Sequence, residues 1–393
     1  MTKVYLIRHA EAEGNLYRRI HGHYDSLVTE NGKRQIEALR RRFASIPVDA
    51  VYSSDLTRTR TTAEAIYIPR SLTLTTKREL REIHMGSWED KTWGEVVRED
   101  PESMDRFVHH PLQWGVPGSE SFLDMQRRMA RSVSEIAERH PDQTVAVFSH
   151  GTAIRSVLCH FSERRPEEVY SIAHSDNTGV SLLEFHEGKA RIVYQNDNSH
   201  LDQEISTFAR QKWWKNREGE FTDQNLWYRP LDPGGEAELY LEARRDAWEL
   251  IHGSTSGFSG RAYLEDALSA AREDPGTLLC AMLGDEAAGI LQMDLFREGE
   301  NGVGGIPFYY MKPKFRGAGL GVQLIGQAVS MSRPRGKSIL RLRVAPENAR
   351  AVRFYEKYGF RKTGEEAGLV GTLYVMEKAI GYGEGPNPQK GKA

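Results

Sequence analysis

The sequence is poor in cysteine, has no long apolar run and carries almost no net charge. Its 393 residues include two cysteines, Cys159 and Cys280, which lie far apart and lack the paired spacing of a zinc site. No apolar run approaches the roughly 18 residues of a membrane helix, and Arg8 and His9 interrupt the first one, so we expect no signal peptide. The formal net charge of -2 provides no basic field for nucleic acid. We therefore expect a cytoplasmic protein that binds neither membranes nor nucleic acid.

What is present fits a folded protein of more than one domain. Hydrophobic residues make up 39% and charged residues 27% of the chain, which is typical of globular proteins. A chain of 393 residues is too long for one ordinary core. We therefore expect two domains.

The first part of the chain alternates between strand and helix patterns. Val4–Ile7, Asp49–Tyr52 and Thr144–Phe148 are short apolar segments that indicate buried strands, and Gly32–Phe43 and Ser121–Arg139 have helical periodicity. This alternation predicts a largely parallel sheet, whose binding sites form at the carboxyl ends of its strands. Residues 180–197 predict a hairpin that turns at Glu187-Gly188.

Basic side chains follow these predicted strands. Arg8 and His9 follow the first strand, Arg58 starts the helix after the second, and His150 follows the third. Two arginines and two histidines would repel one another in one pocket unless an anion lies among them, and guanidinium groups match phosphate oxygens. The pattern predicts a phosphoryl site. There a histidine can act as nucleophile, and Glu82, in a nearby loop, can protonate the leaving alkoxide.

Four segments of this part resemble the motifs of the histidine phosphatase superfamily, which has the phosphoglycerate mutase-like fold: LIRHAEAEGN, HGHYDSLVTENGKRQIEAL, SSDLTRTRTTAE and VFSHGTAIRSVL. The resemblance implies that His9 is the phosphorylated nucleophile and Glu82 the proton donor. It also implies phosphoryl contacts from Arg8, Asn15, Arg58 and His150, and substrate contacts from His21, Gly22 and Gly151. Ala10 stands where the signature has glycine. His21 and His23 could ligate a metal with His9, but we expect none because the arginines supply the positive charge.

The resemblance leaves two reactions open, hydrolysis and phosphoryl transfer of the phosphoglycerate mutase type. A mutase has to hold a second phosphate, which requires further basic contacts. The insertion His109–Phe122 contains no arginine or lysine. We therefore expect a phosphatase that acts on a small phosphorylated metabolite.

A new pattern of helices and strands follows a tryptophan-rich segment. It predicts a helix over Glu236–Ile251, a hairpin that turns at Gly284-Asp285, a strand over Ile306–Met311 and a strand over Ser338–Val344. A glycine-rich turn at residues 316–321 leads from the third of these into a helix. Backbone N–H groups of such a turn can hold a pyrophosphate, although P-loop and Rossmann spacings are absent.

KPKFRGAGLG and APENARAVRFYEKYGFRKTG resemble the two signatures of the GNAT acetyltransferases. The resemblance implies that acetyl-CoA is a co-substrate, that it lies in a splayed gap between two strands, and that Tyr355 protonates the departing thiolate. It further implies backbone contacts to pantetheine from Tyr309, Tyr310 and Met311, and contacts to the pyrophosphate from Arg316, Gly317, Ala318, Gly319, Leu320, Gly321 and Asn348.

The acetyl acceptor is expected to be an amine that the sequence does not identify. Arg343 stands where many members of the family have a glutamate base, and we expect Glu347 to face elsewhere. The base is then a water relay or an unlocated residue, and Arg343 could instead recognise an acidic acceptor. One alternative remains, in which the second domain only binds CoA or docks a partner.

Taken together, the expected fold class is α/β with two domains. A mainly parallel α/β/α phosphoglycerate mutase-like sandwich is followed by a GNAT domain with a splayed mixed sheet. The expected boundaries are 1–205 for the phosphatase domain, 206–230 for the tryptophan-rich connector, 231–380 for the acetyltransferase domain and 381–393 for a disordered tail.

Overall fold

The computed structural model describes residues 1–211, 224–296 and 302–382. The chain divides into two compact units, Met1–Lys91 with Val96–Thr222 and Thr92–Glu95 with Asp223–Ala393. Residues 212–223 of the predicted connector, including Trp213 and Trp214, lie outside the described residues, and so does the predicted tail from residue 383 onward.

The first unit is built on a six-stranded sheet in the order β3-β2-β4-β1-β5-β6. β3, β2, β4 and β1 are parallel, whereas β5 and β6 form an antiparallel hairpin at one edge. The sheet is therefore mainly parallel, as predicted, and the hairpin turns where the sequence indicated. The strands are β1 Thr2–Arg8, β2 Ala50–Ser53, β3 Leu74–Thr76, β4 Thr144–Ser149, β5 Val180–His186 and β6 Lys189–Asp197.

Helices cover both faces of this sheet. On β1, Tyr5 and Ile7 pack into one apolar cluster with residues of α2 and α3, while Val4 and Leu6 point to the opposite face and are fully buried. α6 and α7 contact β1 as well. The helices in residues 1–211 are α1 Glu13–Tyr17, α2 Glu30–Phe43, α3 Thr57–Tyr67, α4 Trp93–Glu99, α5 Pro101–His109, α6 Phe122–Arg139, α7 Gly151–Phe161 and α8 Thr207–Arg210.

The strand register brings three carboxyl ends to one edge of the sheet. Arg8, the last residue of β1, pairs with Ser149 at the end of β4, and Ser53 at the end of β2 pairs with Phe148. Because β1, β2 and β4 are parallel neighbours, the residues that follow them in sequence emerge together. This register is what brings His9 and His150 to the same place.

The second unit is built on a seven-stranded sheet in the order β12-β13-β11-β10-β9-β8-β7. Its neighbouring strands are antiparallel except for β10 and β11, which are parallel, so the sheet is mixed. The strands are β7 Trp227–Pro230, β8 Leu278–Leu283, β9 Glu286–Asp294, β10 Val303–Met311, β11 Ile339–Val344, β12 Arg361–Gly368 and β13 Gly371–Ala379.

One face of β8–β10 packs against the first two helices of this unit. Cys280, Ile290, Phe308 and Tyr310 share an apolar cluster with Tyr240. The helices are α9 Ala237–His252, α10 Gly260–Glu273, α11 Gly321–Ser332 and α12 Ala349–Lys357. The predicted hairpin at Gly284-Asp285 corresponds to β8 and β9.

β10 and β11 separate after their first four paired residues. The last pair is Ile306 with Leu342, although β10 stays paired with β9 to Met311 and β11 stays paired with β13 to Val344. Residues 307–311 of β10 therefore have a neighbour on one side only, and alternate backbone N–H and C=O groups face the gap. This is the splayed gap that the resemblance to the GNAT acetyltransferases implied. In the described part of the chain, no helix is both long and apolar enough to cross a membrane.

Candidate active sites

His9 lies at the centre of the first site, directly after β1. The ring is 6% exposed, and its Nδ1 is 2.7 Å from the carbonyl oxygen of Ala10. Because a carbonyl only accepts, Nδ1 carries the proton and Nε2 keeps the free lone pair. Burial, followed by the nearby guanidinium groups of Arg58 and Arg8, lowers the pKa of His9 well below its usual value. The imidazole is therefore neutral at neutral pH, which is the nucleophilic form.

His150 faces His9 across this site, with ring centroids 5.2 Å apart. Its Nε2 is 2.8 Å from the hydroxyl oxygen of Ser54, which follows β2, whereas its Nδ1 is buried and has no partner among the described residues. Burial, and then the charge of Arg58, lowers the pKa of His150 as well. Nδ1 is consequently the atom that this histidine can offer to a bound group.

Arg8 reaches the start of α7. Its Nη1 donates to the carbonyl of Ser175, and its Nε is buried without a partner among the described residues. A Cβ added at Gly151 would lie 3.3 Å from this Nε. Glycine at position 151 therefore lets the guanidinium lie directly against the backbone that follows His150.

Arg58 is buried, with only 1% of its surface exposed. Its Nη1 donates to the carbonyl of Tyr24 at 2.9 Å, and its Nη2 donates to the carbonyls of Gly22 and His21 at 2.7 and 3.2 Å. Burial lowers the pKa of this guanidinium, while Asp25 acts in the opposite direction. Neutral carbonyls thus orient the group without neutralising it, so its positive charge remains available to an anion.

Glu89 holds the loop that carries these carbonyls. Its carboxylate accepts hydrogen bonds from the backbone N–H groups of Gly22, His23 and Tyr24 at 2.7 to 3.1 Å, and from Met85 at 3.0 Å. This role could not be predicted from the sequence, because an acid in a loop is ordinarily solvated. Four convergent N–H groups become apparent only in the folded chain.

Glu82 lies at the N-terminus of α7. Its carboxylate accepts from the N–H groups of Thr152 and Ala153 at 2.8 Å and from its neighbour Ile83 at 3.0 Å. Arg128 anchors the same loop by donating to the carbonyl of Glu82 at 2.8 Å. Both Arg8 and Arg58 interact electrostatically with Glu82, so the carboxyl group belongs to the same cluster.

The other predicted contacts surround this cluster. Asn15 accepts from the backbone N–H of Ala12 at 3.1 Å, and its amide nitrogen has no partner among the described residues. His21 Nε2 lies 3.2 Å from a carboxylate oxygen of Asp90 and therefore donates, while its Nδ1 is buried and unpartnered within the described chain. His23 points to the carbonyl of Glu82 instead. No group of three potential metal ligands occurs in residues 1–211, 224–296 and 302–382.

The second unit contains a cavity of about 760 Å³ that follows the splayed gap. Its walls include Met311 and Tyr309 from β10, Val344 from β11, and Tyr355 from α12. Burial raises the pKa of Tyr355, so its hydroxyl keeps its proton, and no described residue binds that hydroxyl. Tyr309, by contrast, donates its hydroxyl to the carbonyl of Gly321.

The glycine-rich turn lies at one end of this cavity. Gly317 and Gly319 have φ angles of 86° and 80°, in the region that favours glycine, and α11 begins at Gly321 without a side-chain cap. The first N–H groups of α11 are thus available to an anion. We expected Arg316 to contribute here, but its guanidinium pairs with Asp246 of α9 and donates to the carbonyl of Met311 at 2.7 Å.

Arg350 is a residue that the sequence did not single out. Its guanidinium lies next to Gly317, since a Cβ atom added to that glycine would be 3.8 Å from Nη2 of Arg350. The side chain of Arg350 also lines the cavity. Asn348 caps α12 by accepting from the N–H of Ala351 at 3.1 Å, which occupies its side-chain oxygen. Glu347, which we expected to face elsewhere, lines the cavity, whereas Arg343 is paired with Glu366 at 2.6 Å.

Glu89 offers a direct test of how the first site is held. Replacing Glu89 by Gln leaves one acceptor oxygen and turns an amide NH2 toward N–H donors, so we expect a loss of about 1–3 kcal/mol in the free energy of unfolding. Urea denaturation measures this loss. Glu102→Gln, at an exposed position, should leave the midpoint unchanged. An unchanged midpoint for Glu89→Gln would contradict the inferred role.

Comparisons with known proteins find a family for each of the two parts of the chain. The model of the histidine phosphatase superfamily (branch 1) matches residues 4–198, and that of the acetyltransferase (GNAT) family matches residues 239–360. The chain is 31% identical over 201 residues to phosphoserine phosphatase 1 of Hydrogenobacter thermophilus, covering 51% of this chain and 95% of that protein. It is 29% identical over 206 residues to phosphoglycerate mutase-like protein 4 of Arabidopsis thaliana, covering 51% of this chain and 88% of that protein.

Among solved structures, Bacillus stearothermophilus YhfR has 31% sequence identity and a TM-score of 0.50, with 51% of this chain and all of that chain covered. The predicted fold class and the predicted pair of families are both confirmed. The chain belongs to the histidine phosphatase superfamily, and a domain of the acetyltransferase (GNAT) family follows C-terminally in the sequence.

Proposed function

We propose that this protein is a bifunctional enzyme. Its first domain hydrolyses a small phosphomonoester through a phosphohistidine, and its second transfers an acetyl group from acetyl-CoA to an amine. The observation that supports the first activity best is the neutral His9, whose free Nε2 lies among Arg8, Arg58 and His150. We also propose residues 1–205 and 231–380 as the two domains, and β7 of the predicted connector, Trp227–Pro230, adds an edge strand to the sheet of the second.

The first half-reaction begins with attack of Nε2 of His9 on the phosphorus atom. The N–P bond forms while the bond to the leaving oxygen breaks, and the electron pair goes to that oxygen, which takes a proton from Glu82. Arg8, Arg58, Asn15 and the Nδ1–H of His150, whose Nε2 accepts from Ser54, hold the phosphoryl oxygens. To act as the acid, Glu82 must carry a proton and give up one of its contacts with the N–H groups of α7.

The second half-reaction reverses the role of Glu82. Water attacks phosphorus and passes a proton to the Glu82 carboxylate, the N–P bond breaks, and its electron pair returns to Nε2 of His9. Inorganic phosphate leaves, and Glu82 is again protonated for the next turnover. No metal is required, since the two guanidinium groups balance the charge of the phosphoryl group.

Hydrolysis is favoured over phosphoryl transfer because two further arginines next to the Glu82 loop are already paired with carboxylates. Arg81 binds Asp55 at 2.5 Å and Arg128 binds Glu120 at 2.6 Å, so neither is available to a second phosphate. The insertion His109–Phe122 contains no further arginine or lysine. Phosphoserine is a reasonable first substrate to test, given the similarity to a phosphoserine phosphatase, and product analysis on phosphoglycerates separates hydrolase from mutase.

The second activity rests on the fit of the cavity to acetyl-CoA, which supplies the acetyl group when bound. The unpaired edge of β10 at Tyr309, Tyr310 and Met311 can hold the pantetheine amides. The turn from Gly317 to Gly321, with Ala318 and Leu320, can hold the pyrophosphate, and Arg350 adds a charge there. Tyr355 donates a proton to the departing sulfur.

His9→Ala tests the nucleophile. The variant loses Nε2, so phosphate release from phosphoserine or another phosphomonoester should fall to background. With 32P-labelled substrate, wild-type protein should acquire a label that is stable in alkali and lost in acid, as expected of a phosphohistidine. His109→Ala, at an exposed position, is the control and should keep both signals. Turnover that survives in His9→Ala would rule out the assignment.

Glu82→Gln tests the proton donor through the leaving group. An alkyl phosphate requires protonation of its oxygen, whereas p-nitrophenolate leaves readily without it. We expect kcat to fall on the order of 10²–10⁴-fold for the alkyl ester and much less for the aryl ester. Glu79→Gln, an exposed acid three residues away, should change neither rate. An equal loss on both substrates would indicate a structural role for Glu82 instead.

Tyr355→Phe tests the second site. Calorimetry should show that wild type and variant bind acetyl-CoA alike, while release of CoA in the presence of an amine should slow on the order of 10²-fold in the variant. Tyr374→Phe, on β13, provides the control. Failure of the wild-type protein to bind acetyl-CoA would discard the cofactor claim, and binding without transfer to any amine would favour a CoA-binding or docking domain.

A further inference from the structure

Arg244 of α9 lines the wall of the acetyl-CoA cavity in an aromatic surrounding. Its guanidinium carbon lies 3.8 Å from the ring centroid of Phe308 and 4.7 Å from that of Tyr263. Rings at these distances attract a cation through their π faces, and they also exclude water from it. The side chain is therefore held in place without meeting an opposite charge.

The hydrogen bonds of Arg244 go to neutral groups. Nε donates to the hydroxyl of Tyr240 at 2.8 Å, and Nη2 donates to the side-chain oxygen of Gln292 at 2.8 Å. The amide nitrogen of Gln292 lies 3.3 Å from a carboxylate oxygen of Asp266, which fixes the orientation of the amide because a carboxylate only accepts. Asp266 thus acts on Arg244 through Gln292 rather than directly.

This arrangement leaves the charge of Arg244 available. In the described chain, no carboxylate lies within ion-pair distance of it, and Nη1 has no hydrogen-bond partner. Buried or half-buried guanidinium groups are ordinarily paired with an anion, because the desolvated charge is costly alone. Two other arginines at this cavity, Arg316 and Arg343, are paired, with Asp246 and Glu366 respectively.

The position of Arg244 in the cavity indicates which ligand its guanidinium can bind. The pyrophosphate end of the cavity has its own groups, namely the glycine-rich turn and Arg350. Arg244 lies instead on the face of β10 that carries Phe308, opposite the face of Tyr309, whose ring contacts Tyr355. A charge on this other face is placed for the molecule that approaches the acetyl group, not for CoA.

We propose that the acetyl acceptor is an amine that also carries an anionic group, a carboxylate or a phosphate, and that Arg244 binds this group. The proposal rests on the acetyl transfer proposed above. It replaces Arg343 as the residue that recognises an acidic acceptor, since Arg343 is already occupied. The aromatic walls around Arg244 also favour acceptors with a flat or apolar body over highly charged ones.

The test compares amines that differ only in the anionic group. CoA release is measured with phenylalanine, phenylalanine amide and phenethylamine, with serine, serine amide and ethanolamine, and with O-phosphoethanolamine. We expect kcat/KM to be at least about 30-fold higher for the anionic member of a set than for its neutral partners. Preference for the amino acids would identify a carboxylate, and preference for O-phosphoethanolamine would identify a phosphate.

Arg244→Gln then assigns the preference to this residue. It should lower kcat/KM for the anionic acceptor on the order of 10²-fold and leave the rate with the neutral amine unchanged, while Arg244→Lys should recover part of the loss. Arg245→Gln, the exposed neighbour on α9, is the matched control. Calorimetry with acetyl-CoA and thermal unfolding confirm that each variant is folded and binds the co-substrate.

The outcomes separate this inference from the acetyl transfer itself. If wild-type protein does not bind acetyl-CoA, the proposed function fails and Arg244 has no acceptor to recognise. If acetyl-CoA binds but no anionic amine is acetylated, or neutral amines react as fast as anionic ones, the inference about Arg244 is wrong. An equal loss on anionic and neutral amines in Arg244→Gln would show a purely structural role and overturn it as well.

Discussion

The first site depends on a positive charge that the protein orients without neutralising. Arg58 is almost completely buried, yet its hydrogen bonds go to the backbone carbonyls of His21, Gly22 and Tyr24. A desolvated guanidinium without a carboxylate partner has a strong attraction for an anion that enters the site. Burial, and after it the same charge, lowers the pKa of His9 and of His150, so both imidazoles are neutral in the empty site. Glu89 supports the arrangement indirectly, because it fixes the loop whose carbonyls hold Arg58.

In the second domain, too, a guanidinium group is held by neutral groups, although these groups are side chains rather than backbone carbonyls. Arg244 is held by a phenol, an amide and aromatic faces, and its nearest acid acts through Gln292. Arg58 and Arg244 are thus both held by neutral acceptors, whereas Arg81 and Arg316 are paired with carboxylates. The difference lies in the partners that the fold supplies to each guanidinium, and residue type alone does not reveal it.

The sequence could predict those features that follow from strand order. Once β1, β2 and β4 are parallel neighbours, His9 and His150 must emerge at one edge, and the glycine-rich turn must follow β10. Glu89 and Arg350 could not be predicted in this way, because their roles depend on which backbone groups converge on them in three dimensions. Arg316 could be placed in the turn from the local sequence, but the orientation of its side chain could not be predicted. That orientation is set by an ion pair with Asp246 on α9, which is distant in sequence.

Ala10 illustrates how local geometry can make a departure from a motif harmless. The position holds alanine where the family signature has glycine, and its side chain is fully buried in the apolar cluster beneath the sheet edge. What His9 requires of this residue is the carbonyl oxygen that accepts from Nδ1, and any amino acid provides that group. The backbone N–H of Ala10 is bound by the hydroxyl oxygen of Thr62 on α3, so the carbonyl is held in a fixed direction. The main chain therefore keeps the proton of His9 on Nδ1 and leaves the lone pair on Nε2. The methyl group of Ala10 points into the core and does not affect this hydrogen bond.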